Sequence, residues 1–276
     1  MKKIKSISCY QFDDPDTPIE DGFLCSYVLF DENGKHLEEV SYSDKNELES
    51  KTIARYDSEG NLIEEINYMT DDEISEKLSY IRNSENKMDQ IIIEYADGSK
   101  SIKKFSYSFN NSEIYISDDE GEFEGKEIRK FDDKGNLIEK VIYNDLNNIE
   151  EKELIKYNEN NFIENKTIYD KNNEVEMIIS YIYDSDNNLI RFIKTNNRNQ
   201  IIDKVLFQYD ENKRLLEQQI GDNYIVKYNY DEETNSQTEE RYNMNGVIKF
   251  KVITRFDEEK NIIEEETPIY IKKYIY

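Results

Sequence analysis

At 276 residues the chain could build one large domain, but only 37% of it is hydrophobic and 35% is charged, which excludes a thick packed core. Sixty-one acidic against 36 basic residues leave a formal charge of −25, a surface that repels nucleic acid and anionic lipid and favours encounter with a basic partner. Twenty-two Tyr and 12 Phe are too many for a disordered acidic chain.

Residues 1–29 read as an N-terminal strand or cap segment. Met1, Lys2, Lys3 and Lys5 are followed by no apolar run, so an ordinary signal peptide is not expected. No stretch approaches the ~20 apolar residues of a membrane helix, and no membrane partner is expected. Cys9 and Cys25 are the two cysteines, able to pair but with nothing requiring it. A reducing cytoplasm is therefore the expected location.

From 30 to 270 the chain repeats. Phe30-Asp31-Glu32-Asn33-Gly34-Lys35-His36-Leu37-Glu38 is matched by Tyr56-Asp57-Ser58-Glu59-Gly60-Asn61-Leu62-Ile63-Glu64 and Phe131-Asp132-Asp133-Lys134-Gly135-Asn136-Leu137-Ile138-Glu139. Further copies begin at Tyr183-Asp184, Tyr209-Asp210 and Phe256-Asp257. Asp31 and Asp57 are 26 positions apart, as are Asp184 and Asp210. Degenerate copies begin at Asn83, at Tyr230-Asp231 and at Tyr157-Asn158, the last read as carrying a one-residue deletion. The region 105–128 fits worst and is expected to be irregular. Weaker half-way turns, as at Tyr169-Asp170 and Tyr242-Asn243, reduce the structural step to about 13 residues, one strand and one turn. Residues 271–276 read as the end of a final strand.

The turn chemistry explains the motif. Asp at the first turn position accepts hydrogen bonds from backbone amides just ahead of it, and Gly or Asn three residues later tolerates the left-handed conformation. Lys213 and Lys260 take that place in two copies and predict strained or altered turns. Alternation puts Leu62, Glu64, Ile66 and Tyr68 on one face and Ile63, Glu65 and Asn67 on the other. Helix competes over the charged stretch 145–156, but turns every 13 residues leave it little room, save for one short helix near the N-terminus or in the irregular region. The expected fold is all-β: tandem hairpins of about 26 residues in an antiparallel meander, as a single-layer or gently coiled sheet.

The aromatic-Asp-x-x-Gly-Asn-Leu-Ile pattern resembles the YD repeats of bacterial RHS proteins and, more loosely, the MORN-like repeats of antitoxin and immunity proteins. YD repeats in large toxins build a coiled β shell around a toxin domain; this chain reads as too short for a closed shell and without a distinct C-terminal toxic domain. What both resemblances imply is a bacterial toxin or immunity context.

Candidate chemistry is sparse. His36, the only histidine, stands where Leu62, Leu137, Leu189, Leu215 and Ile262 stand in other copies, so repeat substitution explains it better than catalysis. Asp184-Ser185-Asp186-Asn187-Asn188 imitates the start of a calcium loop, but Leu189 and Thr195 occupy the positions that need Gly and a bidentate Glu. No metal or cofactor is expected, and the chain reads as a non-enzyme. Glu38, Glu64, Glu139, Glu217 and Glu264 share one repeat position, with Arg191 interrupting the row. In neighbouring units they would line up ~9.6 Å apart, either as a partner-binding stripe or as a solvated face paired with Lys on intervening strands. Tyr68 and Tyr143 are the nearby aromatic anchors. The expectation is a protein-binding factor of immunity or antitoxin type that covers a basic toxin domain; the alternative is a structural or surface-associated scaffold.

Overall fold

A computed structural model describes residues 4–14, 16–70 and 72–276, with the side chain of Glu20 also outside the description. Met1, Lys2 and Lys3 of the basic N-terminal segment lie outside the described residues. The strands are β1 (Ser6–Phe12), β2 (Phe23–Phe30), β3 (His36–Tyr42), β4 (Leu48–Tyr56), β5 (Leu62–Tyr68), β6 (Ile74–Arg82) and β7 (Met88–Tyr95). They continue as β8 (Lys100–Ser108), β9 (Asn111–Asp118), β10 (Phe123–Phe131), β11 (Leu137–Tyr143), β12 (Ile149–Tyr157), β13 (Ile163–Tyr169), β14 (Val175–Tyr183) and β15 (Leu189–Asn196). The last are β16 (Ile201–Tyr209), β17 (Leu215–Ile220), β18 (Tyr224–Asp231), β19 (Ser236–Asn243), β20 (Ile248–Phe256), β21 (Ile262–Glu266) and β22 (Ile271–Ile275). A single 3-10 turn at Ile19–Asp21 is the helical element among the described residues, and 145–156 leads into strand β12.

All neighbours are antiparallel, as alternation and turn spacing imply. The sheet is not open. β1 pairs with β2 through Ser8–Tyr27 and Cys9–Ser26, and with β22 through Cys9–Tyr274 and Phe12–Ile271, so the 22-stranded meander closes into a barrel. This corrects the single-layer or gently coiled sheet.

The reason lies in the stagger between hairpins. Glu38 pairs with Ile53 and Ile53 with Ile66, two residues beyond Glu64, the motif equivalent of Glu38. Arg191 pairs with Leu206 and Leu206 with Gln219, again two beyond the equivalent Glu217. One residue of stagger per strand, at ~3.3 Å rise and ~4.8 Å strand spacing, tilts the strands by about 35°, within the range of closed barrels. Twenty-two such strands enclose a ring roughly 40 Å across, too wide for side chains to fill.

The small apolar supply is therefore spent on the two faces of one sheet. Val40, Ile66 and Val141 are buried on the face that carries the Glu row, and Ile93, Ile114 and Val226 on the opposite face. Cys9, Phe12 and Ile271 are buried where β1 meets its neighbours.

Each motif turn is built the same way. The Asp57 carboxylate accepts from the amides of Glu59 (2.9 Å) and Asn61 (2.8 Å), and its second oxygen from Asn61 Nδ2 (3.0 Å). Asp132, Asp184 and Asp257 repeat all three bonds, accepting from the amides of Lys134, Asp186 and Glu259 and from the backbone and side-chain amides of Asn136, Asn188 and Asn261. Half-way turns use the same device at the opposite rim, as where Asn144 accepts from Leu146 and Asn148, and Asp170 from Asn172 and Glu174. The register shifts at the five-residue motif turns, though not at Tyr230-Asp231: Lys130 pairs with Glu139 but Phe131 with Leu137, leaving Ile138 as the extra residue of a bulge. Ile63, Leu216 and Ile263 hold the same place and are exposed.

The motif tyrosine ties adjacent hairpins. Tyr157, Tyr183 and Tyr209 donate their hydroxyls to the carbonyls of Leu137 (3.0 Å), Ile163 (2.9 Å) and Leu189 (2.9 Å), each the first strand residue after the preceding motif turn. Tyr230 does the same to Leu215 at 2.9 Å. Neighbouring turns are also laced by side chains, as between Asn136 and Asn161 (2.7 Å) and between Asn160 and Asn187 (2.8 Å).

Two irregularities have local causes. The turn at Asn158 is full length, with Tyr157 paired to Ile163 and the Asn158 amide to the Phe162 carbonyl, so no residue is deleted there. Phe162 takes the polar slot and Ile163 the Leu slot. In the stretch 105–128, strands β8 to β10 continue the ladder. The spacing breaks because a two-residue turn at Phe109–Asn110 joins Ser108 to its partner Asn111, in place of the five residues that separate Phe131 from Leu137.

Lys213 and Lys260 keep the turn geometry unaltered, with Lys213 N to Asp210 O at 3.0 Å, but stand at φ 63° and 67°, where L side chains are strained. Lys213→Gly should therefore stabilise the barrel by about 1 kcal/mol, seen as a higher urea midpoint, while Lys213→Val should lower it by at least as much. Tyr209→Phe, which removes the bond to Leu189, should cost about 1 kcal/mol in the same titration.

Candidate binding surface

The Glu row lies on one face of the sheet, each member two residues into an outgoing strand. It runs obliquely: because of the stagger, Glu38 and Glu64 are displaced by two strands and two residues, about 12 Å rather than ~9.6 Å. Glu139, Glu217 and Glu264 stand in β11, β17 and β21, hairpins not adjacent to one another. All five are partly covered and carry cations. Glu38 meets Lys51 at 4.0 Å, Glu139 meets Lys130 at 2.6 Å and Lys152 at 3.8 Å, and Glu217 meets Lys227 at 3.6 Å. Glu64 bonds Arg55 and, at 2.6 Å, Lys77, while Glu264 bonds Arg255. The Glu64 carboxyl is held below its ordinary value by the Lys77 hydrogen bond first, and then by the charges of Lys77 and Arg55.

Of the two predicted aromatics, Tyr68 shares its cation with the Glu row and Tyr143 takes another. Lys51 lies over the Tyr68 ring at 4.9 Å and Lys126 over Tyr143 at 4.6 Å. A Glu–Lys–Tyr relay results: Glu38, Lys51 and Tyr68 on β3, β4 and β5, then Glu139, Lys152 and Tyr169 on β11, β12 and β13, with Lys152 at 5.3 Å from the ring. Glu217, Lys227 and Tyr242 repeat it on β17, β18 and β19 at 5.6 Å. Pairing of the row with Lys on intervening strands, one of the two readings of the sequence, is what the structure shows: Lys51, Lys77 and Lys152 each follow their glutamate by 13 residues, the strand step itself. Half-exposed ion pairs and cation–π contacts of this kind contribute up to about 1 kcal/mol each. Beside Glu38, burial and then the carboxylate push the Tyr27 hydroxyl up to about 12.

Glu217 also lines a shallow depression of about 480 Å³ with Gln208, Lys227, Asn229, Thr238 and Glu240. His36 packs edge-on against Phe30 at 5.3 Å, with Nδ1 at 3.9 Å from Glu39. The Asp184 carboxylate is occupied by the Asp186 and Asn188 amides and the Asn188 side chain.

Exposed carboxylates concentrate in the turns. Glu59, Glu85, Asp133, Glu159, Asp186, Glu211, Glu232 and Glu258 are exposed at the motif turns, and Asp119, Glu120 and Asp145 at the opposite rim. The first-position aspartates are different in kind. Asp57, Asp132, Asp184 and Asp257 are held below the ordinary carboxylate range, chiefly by the side-chain amide four residues on, and Asp31 and Asp210 chiefly by the backbone amides of Lys35 and Arg214. A depressed folded-state value adds stability above the unfolded Asp value, and that stability is lost as pH falls through the lower, folded one. The urea midpoint should thus hold steady above about pH 5 and fall steadily below about pH 4. Asp57→Asn, which keeps an acceptor but cannot titrate, should make that fall shallower.

No protein-family model and no curated protein matches the chain. Among solved structures it is similar to a Tc holotoxin pore from Photorhabdus luminescens, at 12% identity and TM-score 0.39 over 88% of this chain and 15% of that one. It is similar also to TcdB2-TccC3 without its hypervariable C-terminal region, at 12% identity and TM-score 0.39 over 90% and 15%. A porin-like protein from Bacteroides uniformis matches at 10% identity and TM-score 0.38, over 98% of this chain and 95% of that one. The chain spans about 15% of the length of the Tc chains.

Proposed function

We propose that the chain is a non-enzymatic, protein-binding barrel of YD-type repeats that neutralises a basic protein domain, as a bacterial immunity or antitoxin factor of the cytoplasm would. The observation that carries the reading is the charge of −25, borne on exposed turns of a sheet whose row of glutamates is already matched by Lys and Arg. Such a distribution attracts a cation-rich surface from a distance and offers Tyr-rich, half-covered faces for contact, where tyrosine buries much area at small entropic cost. The repeat chemistry supports the YD assignment. Aromatic, Asp, Gly or Asn, and Asn each have a distinct bond in the turn.

The test is capture from the native lysate followed by binding kinetics against ionic strength. A basic protein should be recovered, and its association rate should fall about tenfold or more between 0.01 and 0.15 M salt, as the Debye length shrinks from ~30 to ~8 Å, while dissociation changes little. Glu64 and Glu139 are already paired with cations, so Glu59→Gln with Glu211→Gln at the exposed turns should slow association without unfolding the barrel, whereas Glu64→Gln with Glu139→Gln should chiefly speed dissociation. Tyr68→Ala or Tyr143→Ala should chiefly speed dissociation. Recovery of no basic protein, or an association rate indifferent to salt, would overturn the reading and favour a structural scaffold.

A further inference from the structure

The first strand carries a pair of sulfur atoms that the binding reading does not use. Cys9, buried on β1, pairs with Ser26 of β2 on one side and with Tyr274 of β22 on the other. The β1–β2 register shifts between Cys9 and Tyr10, and that bulge turns Cys25 toward Cys9. The two Sγ atoms stand 3.0 Å apart, and the Cys25 Sγ lies 3.2 Å from the Cys9 carbonyl oxygen. A disulfide needs ~2.05 Å, so about 1 Å of approach would join them.

The surroundings set the two thiols apart. Contact with Cys9 and the nearby Lys272 charge draw the Cys25 thiol down to about 6, against a smaller opposing effect of burial. Contact with Cys25, then burial, push the Cys9 thiol well up. Tyr274, whose hydroxyl donates to Glu265 at 2.5 Å, covers the pair from β22, and its own ionisation is pushed up, chiefly by burial. A half-buried thiol in contact with a buried one, the first to meet a small disulfide and the second placed to resolve it, is an arrangement suited to thiol–disulfide exchange.

We propose that Cys9 and Cys25 form a dithiol–disulfide couple that latches the closing strand of the barrel, with a low-molecular-weight disulfide of the glutathione class as its co-reactant. The Cys25 thiolate attacks one sulfur of the small disulfide, forming a mixed disulfide and expelling one small thiolate. Cys9 then gives up its proton, to solvent or to that thiolate, and attacks the Cys25 sulfur, and the second small thiolate leaves. The protein pair is oxidised by two electrons as the small disulfide is reduced to two thiols. The product ties β1 to β2 covalently. Because β1 is also the strand that pairs with β22, the bond fixes the segment on which closure depends.

The experiment treats the folded chain with oxidised glutathione at neutral pH and counts free thiols by iodoacetamide labelling and intact mass. Wild type should lose both thiols and retain no glutathione, Cys9→Ser should retain glutathione on Cys25, and Cys25→Ser should take up little. Labelling of the untreated wild type, read by peptide mapping, should reach Cys25 well before Cys9, which tests the same asymmetry without any variant. The oxidised wild type should melt about 5–10 °C above the dithiothreitol-treated protein, with no such difference in Cys9→Ser. Two thiols still free after treatment, a lasting adduct on the wild type, or Cys9 labelled first would overturn the couple. A disulfide without any rise in melting temperature would overturn the latch.

Discussion

The structure depends on what one carboxylate does in each motif turn. Asp57 accepts from two backbone amides and from Asn61, and this fixes five residues of turn so that the outgoing strand starts at a set residue. Once that start is fixed, a bulge follows, and the tyrosine of the next motif finds the carbonyl of the first strand residue, as Tyr183 finds Ile163. The turn therefore sets register within a hairpin and, through tyrosine, register between hairpins. A single sheet without a second layer has no other means of fixing it.

Closure follows from the same constraint. A two-residue advance per hairpin is small, but it has one sign along the chain, as in Glu38–Ile53–Ile66 and Arg191–Leu206–Gln219. Strands tilted in one sense bring the last edge to the first, and β22 meets β1 where an open meander would leave two unpaired edges. The barrel is then secured by ladder bonds and cross-strand contacts rather than by a deep core. Val40 and Ile66, buried within one sheet, stand in for the core that a 37% apolar composition could not supply.

Periodicity was legible because it is written in identities: Asp31, Asp57, Asp184 and Asp210 announce the step, and Gly or Asn three residues later announces the left-handed turn. Closure was not legible, since it depends on which residue of β4 faces Glu38, and pairing across strands leaves no mark in spacing along the chain. The misread deletion at Asn158 has a similar cause. Phe162 looks like the first of the apolar pair, yet the turn bonds of Asn158 force it into the slot held elsewhere by Asn61 or Asn136. The glutamate row and its pairing with Lys on intervening strands were legible; which lysine meets which glutamate was not, because that depends on cross-strand register. The repeat assigns His36 and the Asp184 turn each a place before any chemistry is invoked.

The distribution of charge separates two roles for acidic residues. First-position aspartates such as Asp132 are consumed by their own turn, and row glutamates such as Glu139 are neutralised by Lys130 and Lys152. Neither set accounts for the long-range field. That field arises in the second and third turn positions, where Glu59, Asp133, Asp186, Glu211 and Glu258 project from the rims. These positions have no duty in turn geometry, so a composition favouring Asp and Glu there costs the fold little. Under the proposed function, steering of a basic partner and contact with it would be carried by different residues: the rims would set the rate of approach, and the Glu–Lys–Tyr relays on the sheet, once water is excluded, would set how long the partner stays.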